Sequence, residues 1–375
     1  MTIHDDREVV DRRLAGLGLV APSFDTVEAV VRHLVVVQSQ DIGPARWSVA
    51  QRMAPAVGTT EPMMEAALAE GRILRTHVMR PTWHFVLPDD IRWLLALTGP
   101  RIEVLSAYML RTTGITASIR GRSSEAIARA LEGGVSRTRA ELRAVLDAAG
   151  FDTTGFRIGY LMMHAEITGL VCSGPARGRA QTYALLAGRA PNARVLDREA
   201  ALAELARHYF TSHGPATVKD FRTWCSLTAA DARVGIEGAA DALESETYRD
   251  LTWWSGGSDG PRRPPPTDPS PTVHLIQAYD EYVMGYLETK GVLDIDGAAA
   301  WDPTQRAIYN GVVLLDGQVA GHWKRTIDTT NVHLDVQLRV PFGADRLAAL
   351  RAAADRHGAF LGLSATVATT QLERA

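Results

Sequence analysis

The sequence ILRTHVMRPTWHFV, residues 73–86, gives the clearest indication of the fold class. Two short runs, 73–78 and 82–86, are rich in Val, Ile, Thr, Trp and Phe, which strands favour, and Met79-Arg80-Pro81 joins them. The pattern predicts a β-hairpin with a cation at its tip. The spacing of apolar residues predicts helices ahead of this hairpin at 8–17, 26–37, 46–53 and 61–68. Several helices followed by a hairpin is the order of a winged helix.

A similar order recurs twice along the chain, at 123–183 and again from 197. Beyond a Pro- and Gly-rich stretch, strand-like runs are predicted at 273–276, 282–287, 312–315, 319–324 and 332–338. A helix at 344–356 and a last strand at 360–363 complete the prediction. We therefore predict a mainly α chain with β (α+β), in which tandem winged-helix modules precede a small β-rich C-terminal domain. The expected divisions are modules at 1–115, 116–192 and 193–255, a linker or loop at 256–271, and the C-terminal domain at 272–375.

Composition excludes several classes of protein. The formal net charge of −3 and the pI near 6.4 exclude a globally basic protein, so DNA binding would need a local concentration of arginine. Cys172 and Cys225 lie far apart and outside a C-x-x-C motif, which argues against a disulfide framework or a zinc site. Neither a phosphate-binding loop nor an H-E-x-x-H motif occurs. Without an apolar run of about 18 residues, we expect a soluble cytoplasmic protein.

Two neutral amides, Gln38 and Gln40, stand between an apolar run at 35–37 and the turn residues Gly43-Pro44. Burying an amide without partners costs about 1 to 3 kcal/mol, so the pair needs backbone partners or a ligand. One interpretation is that both cap the end of a helix, and the other is that they hold a water molecule. An amide cannot act as a general base, because it has no useful pKa. It can only orient a nucleophile and offer its dipole to a developing positive charge.

A purine alkylated at N3 or N7 suits such a site. Alkylation makes the base cationic and therefore a good leaving group that needs no protein acid. The sugar then develops oxocarbenium character, which carbonyl oxygens can stabilise while a positioned water attacks C1′. Asp41 could add negative charge beside the glutamine pair.

Tyr279-Asp280-Glu281-Tyr282 carries two adjacent carboxylates. Neighbouring residues on a strand face opposite sides and cannot act on one atom, so we interpret this motif as structural.

Several short segments together resemble one family, the winged-helix DNA-binding superfamily that includes the AlkZ-type DNA glycosylases and their YcaQ relatives. The matching segments are spread over nearly all of the chain. They are Val37-Gln38-Ser39-Gln40 with 46–52, RTHVMRPTWH at 75–84, Gly214-Pro215-Ala216-Thr217 with Asp220-Phe221 and Trp224, and Tyr279-Asp280-Glu281-Tyr282 with 316–323.

The resemblance implies tandem winged helices in a concave arrangement with a β-rich C-terminal part. It also implies a monofunctional glycosylase that excises alkylated purines, can unhook interstrand crosslinks, and uses a glutamine, aliphatic, glutamine motif with no metal or other cofactor. Gln38 and Gln40 match the two glutamines as catalytic residues. Ser39 departs from the aliphatic middle position, and we expect it to change packing more than chemistry.

We therefore expect a monomeric DNA glycosylase that acts on double-stranded DNA containing an alkylated purine. We expect it in the cytoplasm, associated with the nucleoid and not with a membrane, where it could give self-resistance to a DNA-alkylating natural product. The expected DNA contacts are Arg80, His84, Arg177, Arg179, Lys324 and Arg325. Solvated surface cations are the simpler interpretation of the same side chains. Two rival functions are a non-enzymatic winged-helix transcriptional regulator and a family member that has lost its DNA activity and binds a partner protein.

Overall fold

Three successive parts of the chain share one order of elements, in which helices precede a two-stranded hairpin. They appear in a computed structural model that describes residues 2–257, 270–300 and 310–372. The first part comprises α1 (Asp6–Gly16), α2 (Val27–Leu34), β1 (Val36–Gln38), α3 (Ile42–Ala50), α4 (Glu61–Glu70), β2 (Leu74–His77), β3 (Trp83–Val86) and α5 (Ile91–Thr112). Its strands pair antiparallel in the order β1-β3-β2, so the predicted hairpin at 73–86 is confirmed.

The second and third parts repeat this arrangement. The second comprises α6 (Ala117–Ala130), β4 (Arg137–Thr138), α7 (Arg139–Ala148), α8 (Arg157–Ile167), β5 (Val171–Arg177) and β6 (Ala180–Leu185). The third comprises α9 (Leu186–Arg189), α10 (Arg198–His213), α11 (Val218–Cys225), α12 (Ala229–Gly238), β7 (Leu243–Tyr248) and β8 (Leu251–Gly256). The second part has strand order β4-β6-β5, and in the third an isolated bridge between Ala216 and Trp254 stands where the extra strand would be. The exact module boundaries stay a prediction.

The C-terminal part is a five-stranded sheet with one long helix. Its elements are β9 (Val273–Ile276), α13 (Glu281–Met284), β10 (Gly311–Leu315), β11 (Gln318–Ile327), β12 (Asn331–Leu338), α14 (Ala344–Leu361) and β13 (Ser364–Gln371). The strand order is β13-β12-β11-β10-β9, and only β12 and β13 run parallel, joined by α14 as a crossover. Most of the predicted linker, residues 258–269, lies outside the described residues.

Two predicted strands are wrong. Residues 282–287 begin in the short helix α13, because the Asp280 side chain accepts a hydrogen bond from the backbone N–H of Tyr282 and caps a helical turn. Residues 360–363 lie at the end of α14, which continues to Leu361 and is closed by Gly362 at φ 70°. The last strand begins only at Ser364.

The predicted helix at 26–37 is also shorter than expected. It ends at Leu34 because Val35 adopts φ 66°, a backbone conformation that is strained for a β-branched residue. The chain then becomes a strand in which Val37 pairs with Phe85 and Gln38 with His84. Gln38 therefore lies on a sheet, and its neighbours are fixed by strand register.

A continuous apolar core joins the first, third and C-terminal parts, whereas the second part has a core of its own. At the junction, Trp47 of α3 donates from Nε1 to the carbonyl of Leu275 at 2.7 Å and packs against Phe360 of α14. The segment that carries the two glutamines is thus held between the first winged helix and the C-terminal sheet. Among the described residues, no helix is long and apolar enough to cross a membrane.

Candidate active site

Gln38 is buried and is held by groups from two distant parts of the chain. Its side-chain Oε1 accepts a hydrogen bond of 2.7 Å from Nη2 of Arg80. Its backbone N–H donates to Oε1 of Glu281 at 3.1 Å, and its carbonyl accepts from Nε2 of Gln277 at 3.2 Å. These bonds fix the orientation of the Gln38 amide. The helix-capping interpretation is wrong for Gln38, because its side chain binds a guanidinium and not the backbone of a helix end.

Gln40, two residues later, is exposed. The chain between the two glutamines is held by its main chain, since the N–H of Ser39 donates to the carbonyl of Trp83 at 2.7 Å. Arg75 donates to the Ser39 carbonyl from Nε at 3.0 Å and from Nη2 at 2.9 Å, and Nη2 also lies 3.4 Å from the Gln40 carbonyl. The backbone that positions Gln40 is therefore anchored, while its amide faces solvent.

Arg75 is itself held by the second winged helix. Its guanidinium lies 4.5 Å from the ring centroid of Trp83, which donates from Nε1 to Oε1 of Glu166 on α8 at 3.1 Å. The other oxygen of Glu166 binds Nδ1 of His77, and the backbone N–H of Arg75 donates to Oγ of Ser173 at 2.8 Å. This chain of contacts connects α8 and β5 to the segment between the two glutamines.

Arg80 does not extend from the hairpin tip as the sequence predicted. Its guanidinium turns into the protein toward Gln38, and Nη1 lies 3.5 Å from the carbonyl of Met284. Burial lowers the pKa of Arg80 from its usual value, and the negative charge of nearby Glu281 opposes that shift. The predicted contact of Arg80 with the DNA backbone is corrected accordingly, because this guanidinium is committed to the Gln38 amide.

His84 is fully buried, so the predicted DNA contact is wrong for this residue. His84 lies on β3, where it pairs with Gln38, and its Nδ1 lies 3.1 Å from the carbonyl of Thr82. Burial, with the positive charge of Arg80, lowers the pKa of His84 to about 3, which leaves the imidazole neutral near pH 7. A neutral ring with no exposed surface cannot attract a phosphate.

Glu281 is the residue of the site that the sequence missed. Its carboxylate is fully buried, where Oε2 accepts from Nε1 of Trp224 at 2.8 Å and lies 3.4 Å from Nε2 of His213. Burial alone would raise the pKa of Glu281, but the bond to His213 and the charge of Arg80 lower it to about 2. Glu281 therefore stays ionised beside Gln38. The available signal was a pair of acids in a largely apolar stretch, which requires buried partners.

The neighbouring acid, Asp280, fits the structural interpretation. Its Oδ1 accepts from Nη2 of Arg52 at 2.8 Å, and its Oδ2 accepts from the hydroxyl of Ser48 at 2.6 Å. Arg52 and Asp280 are both fully buried, so the pair links the turn after α3 to the start of α13. The two adjacent carboxylates thus have separate sets of partners.

The remaining predicted cations differ in their solvent exposure and in their side-chain partners. Arg177 and Arg179, at the turn between β5 and β6, are both exposed, and Arg177 also pairs with Glu141. On β11 Lys324 is exposed, while Arg325 is partly buried and its Nη1 lies 3.3 Å from Nε2 of His357. Arg179 and Lys324 are therefore the predicted DNA contacts that are exposed and that no ion pair among the described residues engages.

The described chain therefore combines repeated helix-and-hairpin parts with a buried, hydrogen-bonded glutamine, Gln38. The family model described as DNA glycosylase AlkZ-like matches residues 31–360, and the chain belongs to that family. It is therefore an enzyme and not the non-enzymatic regulator considered above. Among solved structures, the Streptomyces sahachiroi DNA glycosylase AlkZ is similar with a TM-score of 0.78 and 22% identity, covering 99% of this chain and 100% of that one. No curated protein matches the chain.

Proposed function

We propose that this DNA glycosylase is monofunctional and hydrolyses the N-glycosidic bond of purines alkylated at N7 or N3 in double-stranded DNA. Gln38 and Gln40 hold the water that attacks C1′. The observation that carries the proposal is the 2.7 Å hydrogen bond from Arg80 to Oε1 of Gln38. This bond uses one lone pair of Oε1 and leaves the second lone pair and the amide hydrogens to bind a water.

The charges around Gln38 suit a reaction in which the alkylated base leaves as a neutral molecule and positive charge develops on the sugar. Arg80 alone would repel a developing oxocarbenium ion, but the ionised carboxylate of Glu281 lies beside it and offsets its charge. Asp41, next to Gln40, is exposed and adds a negative charge at the surface. No group in this arrangement needs to protonate the leaving base, because alkylation has already made that base cationic.

The DNA backbone is held by cations that lie outside the Gln38 site. We assign this role to Arg179 and Lys324, with Arg177 and Arg325 as partly engaged neighbours. Each phosphate that is neutralised releases counterions, so binding should weaken steeply as salt increases. We include in the proposal that the protein acts as a monomer on nucleoid DNA.

Interstrand crosslinks that join two purines through N7 are also within the proposed substrate class, because each half of such a crosslink is an N-alkylpurine. Hydrolysis at one half would unhook the two strands. We therefore include crosslink unhooking, and self-resistance to a natural product that alkylates DNA, in the proposed function.

A base-excision assay tests this function. Duplex DNA with a single 7-methylguanine is incubated with the wild-type protein and with the variants Gln38→Ala, Gln40→Ala and Gln371→Ala, and abasic sites are counted. Gln371 lies at the end of β13, where its Nε2 donates to the carbonyl of Leu338, and it serves as a matched control. We expect release by wild type and by Gln371→Ala, and loss of release with DNA affinity kept in the other two.

Two outcomes would contradict the proposal. One is equal base release by Gln38→Ala and wild type, which would remove Gln38 from the chemistry. The other is weak binding with little salt dependence and no base release, which is expected for a family member that binds a partner protein instead.

A further inference from the structure

A cleft of about 560 Å³ opens between the start of α3 and the C-terminal sheet. Clefts of about 300 to 1,000 Å³ are the size at which proteins hold small ligands. Asp41, the residue after Gln40, lines this cleft. Gln277, whose side chain is hydrogen-bonded to the Gln38 carbonyl, lines it as well. The lining residues that matter here are Asp41, Gln277, Tyr279, Lys324 and Arg325.

Gln277 is the most informative of these residues. Its side chain is buried with only 1% exposed, and its Nε2 is committed to the carbonyl of Gln38 at 3.2 Å. Its Oε1 is also buried and has no hydrogen-bond partner within the part of the chain that the structure describes. Buried polar atoms nearly always have a partner. An amide oxygen can only accept hydrogen bonds, so the missing partner is an N–H or O–H donor.

The other walls fit the remaining parts of a nucleotide. Tyr279 is partly exposed and offers an aromatic face, on which an unstacked base can stack. Lys324 and Arg325 bring two positive charges, which suit a phosphate. The Arg325 guanidinium reaches the cleft past Gly43, where a Cβ atom would lie only 2.6 Å from Nη2. Asp41 contributes a negative charge that attracts a cationic base and not a neutral one.

We propose that this cleft receives the damaged purine, with Oε1 of Gln277 accepting a hydrogen bond from the exocyclic amino group of the base. The inference rests on the proposed function and adds a specificity-determining residue to it. Gln277 also couples base recognition to the position of Gln38, because the side chain that recognises the base is hydrogen-bonded to the Gln38 backbone. The Oε1 atom of Gln277 recognises the amino group of the base, whereas its Nε2 atom holds the Gln38 carbonyl.

Two lesions and three variants separate these roles. The lesions are 7-methylguanine and 7-methylhypoxanthine, which differ by the 2-amino group, each placed once in the same duplex. Single-turnover rates of base release are divided by the spontaneous depurination rate of the same lesion. The variants are Gln277→Met, which removes both polar atoms, Gln277→Glu, which keeps an acceptor, and Gln371→Met as the matched control.

We expect wild type and Gln371→Met to release 7-methylguanine about tenfold faster than 7-methylhypoxanthine, the effect of one hydrogen bond. Gln277→Met should slow both lesions, because the donor to Gln38 is lost, and should slow 7-methylguanine about tenfold more than 7-methylhypoxanthine, so that the preference falls to within about twofold. Gln277→Glu should release both lesions more slowly, because the donor to Gln38 is lost, but should keep the preference.

The proposal is overturned if Gln277→Met slows both lesions by the same factor, since Gln277 would then only support Gln38. It is also overturned if wild type does not distinguish the two lesions. If wild type binds DNA but releases neither lesion, the proposed function itself is wrong, and the proposed role of Gln277 in base recognition is wrong as well. Thermal unfolding of each variant shows whether a lost rate reflects lost folding.

Discussion

Arg80 and Gln38 are joined by a hydrogen bond of 2.7 Å across the first winged helix, from a cation at a hairpin loop to a neutral amide on the neighbouring strand. The bond fixes which edge of the Gln38 amide faces the guanidinium. An amide that must orient a water is useful only if its own rotation is restricted, because misplacement by about 1 Å can cost a hundredfold in rate. We therefore expect Arg80 to act as a positioning residue for Gln38.

Substitution of Arg80→Met should lower the single-turnover rate of 7-methylguanine release by about tenfold to a hundredfold. Arg80→Lys keeps the charge but not the planar fork, so its rate should fall between those of wild type and Arg80→Met. The dependence of DNA affinity on salt should not change in either variant, because the guanidinium faces Gln38 and not a phosphate. A flatter salt dependence with an unchanged rate would assign Arg80 to the DNA backbone instead.

Substitution of the exposed cations Arg179 and Lys324 should change the salt dependence of DNA affinity and leave the rate of base release unchanged. Arg179→Met and Lys324→Met are each expected to lower the slope of log affinity against log salt by about 0.9, the value for one phosphate contact. Their rates of base release at saturating protein should remain near that of wild type. Arg346→Met, on the exposed start of α14, is the control and should leave the slope unchanged. Unchanged slopes for both test variants would place the DNA elsewhere on the protein.

Arg75 should matter for rate although it touches neither glutamine side chain. Loss of its two donors to the Ser39 carbonyl in Arg75→Met frees the backbone between Gln38 and Gln40. We expect base release to slow about tenfold at unchanged DNA affinity. Trp83→Phe keeps a ring beneath the guanidinium but loses the N–H that binds Glu166, and its effect should be smaller. An Arg75→Met protein that is as fast as wild type would contradict this role.

Ser39 offers a test by stability. Its Oγ is buried and has no hydrogen-bond partner in the described part of the chain, which is unfavourable for a hydroxyl. Ser39→Ala should raise the free energy of unfolding by about 1 kcal/mol, measured by urea denaturation, and should leave base release within about threefold of wild type. Ser48→Ala is the matched control and should be destabilising, because the Ser48 hydroxyl donates to Asp280 at 2.6 Å. A stability loss in Ser39→Ala would show that this hydroxyl has a partner.

Glu281 makes stability depend on pH in a defined window. Its pKa is lowered from about 4.5 to about 2 in the folded chain, so its carboxylate contributes stability above the unfolded value. That contribution is lost as pH falls from about 4.5 to about 2, when the folded carboxyl becomes protonated. The difference in unfolding free energy between wild type and Glu281→Gln should therefore be constant at pH 7 to 8, above the range in which its partner His213 titrates, and shrink below about pH 4.5. A difference that does not change with pH would show that Glu281 is not ionised.

Much of the fold could be predicted because it depends on local patterns. The hairpin at 73–86 combines strand-forming residues with a proline turn, and the repeated helices carry apolar residues at helical spacing. The errors have local causes as well. Val35 ends α2 by adopting a positive φ that its β-branched side chain disfavours. The Thr-rich β13 is mostly exposed, and its apolar alternation is limited to Ala365 and Val367, which pack on the core.

The site was harder to predict because its contacts join distant segments. Gln38 and Gln40 could be chosen from the sequence as a pair of amides beside an apolar run. Glu281 could not be assigned to them, because it lies 243 residues away from Gln38 and meets it only through the C-terminal part. Arg80 was expected at a solvent-exposed tip, yet its loop packs against the turn that carries Glu281, and the guanidinium points inward. Side-chain direction in a loop is set by such tertiary packing and not by local sequence.

We propose that Gln38 and Gln40 hold the same water, and a double-mutant cycle tests whether they do. Single-turnover rates of 7-methylguanine release are measured for wild type, Gln38→Ala, Gln40→Ala and the double variant. Two residues that act on one water are strongly non-additive, because removing either already loses its position. We predict that the double variant is within about threefold of the slower single variant. A double variant whose loss equals the product of the two single losses would contradict a shared water.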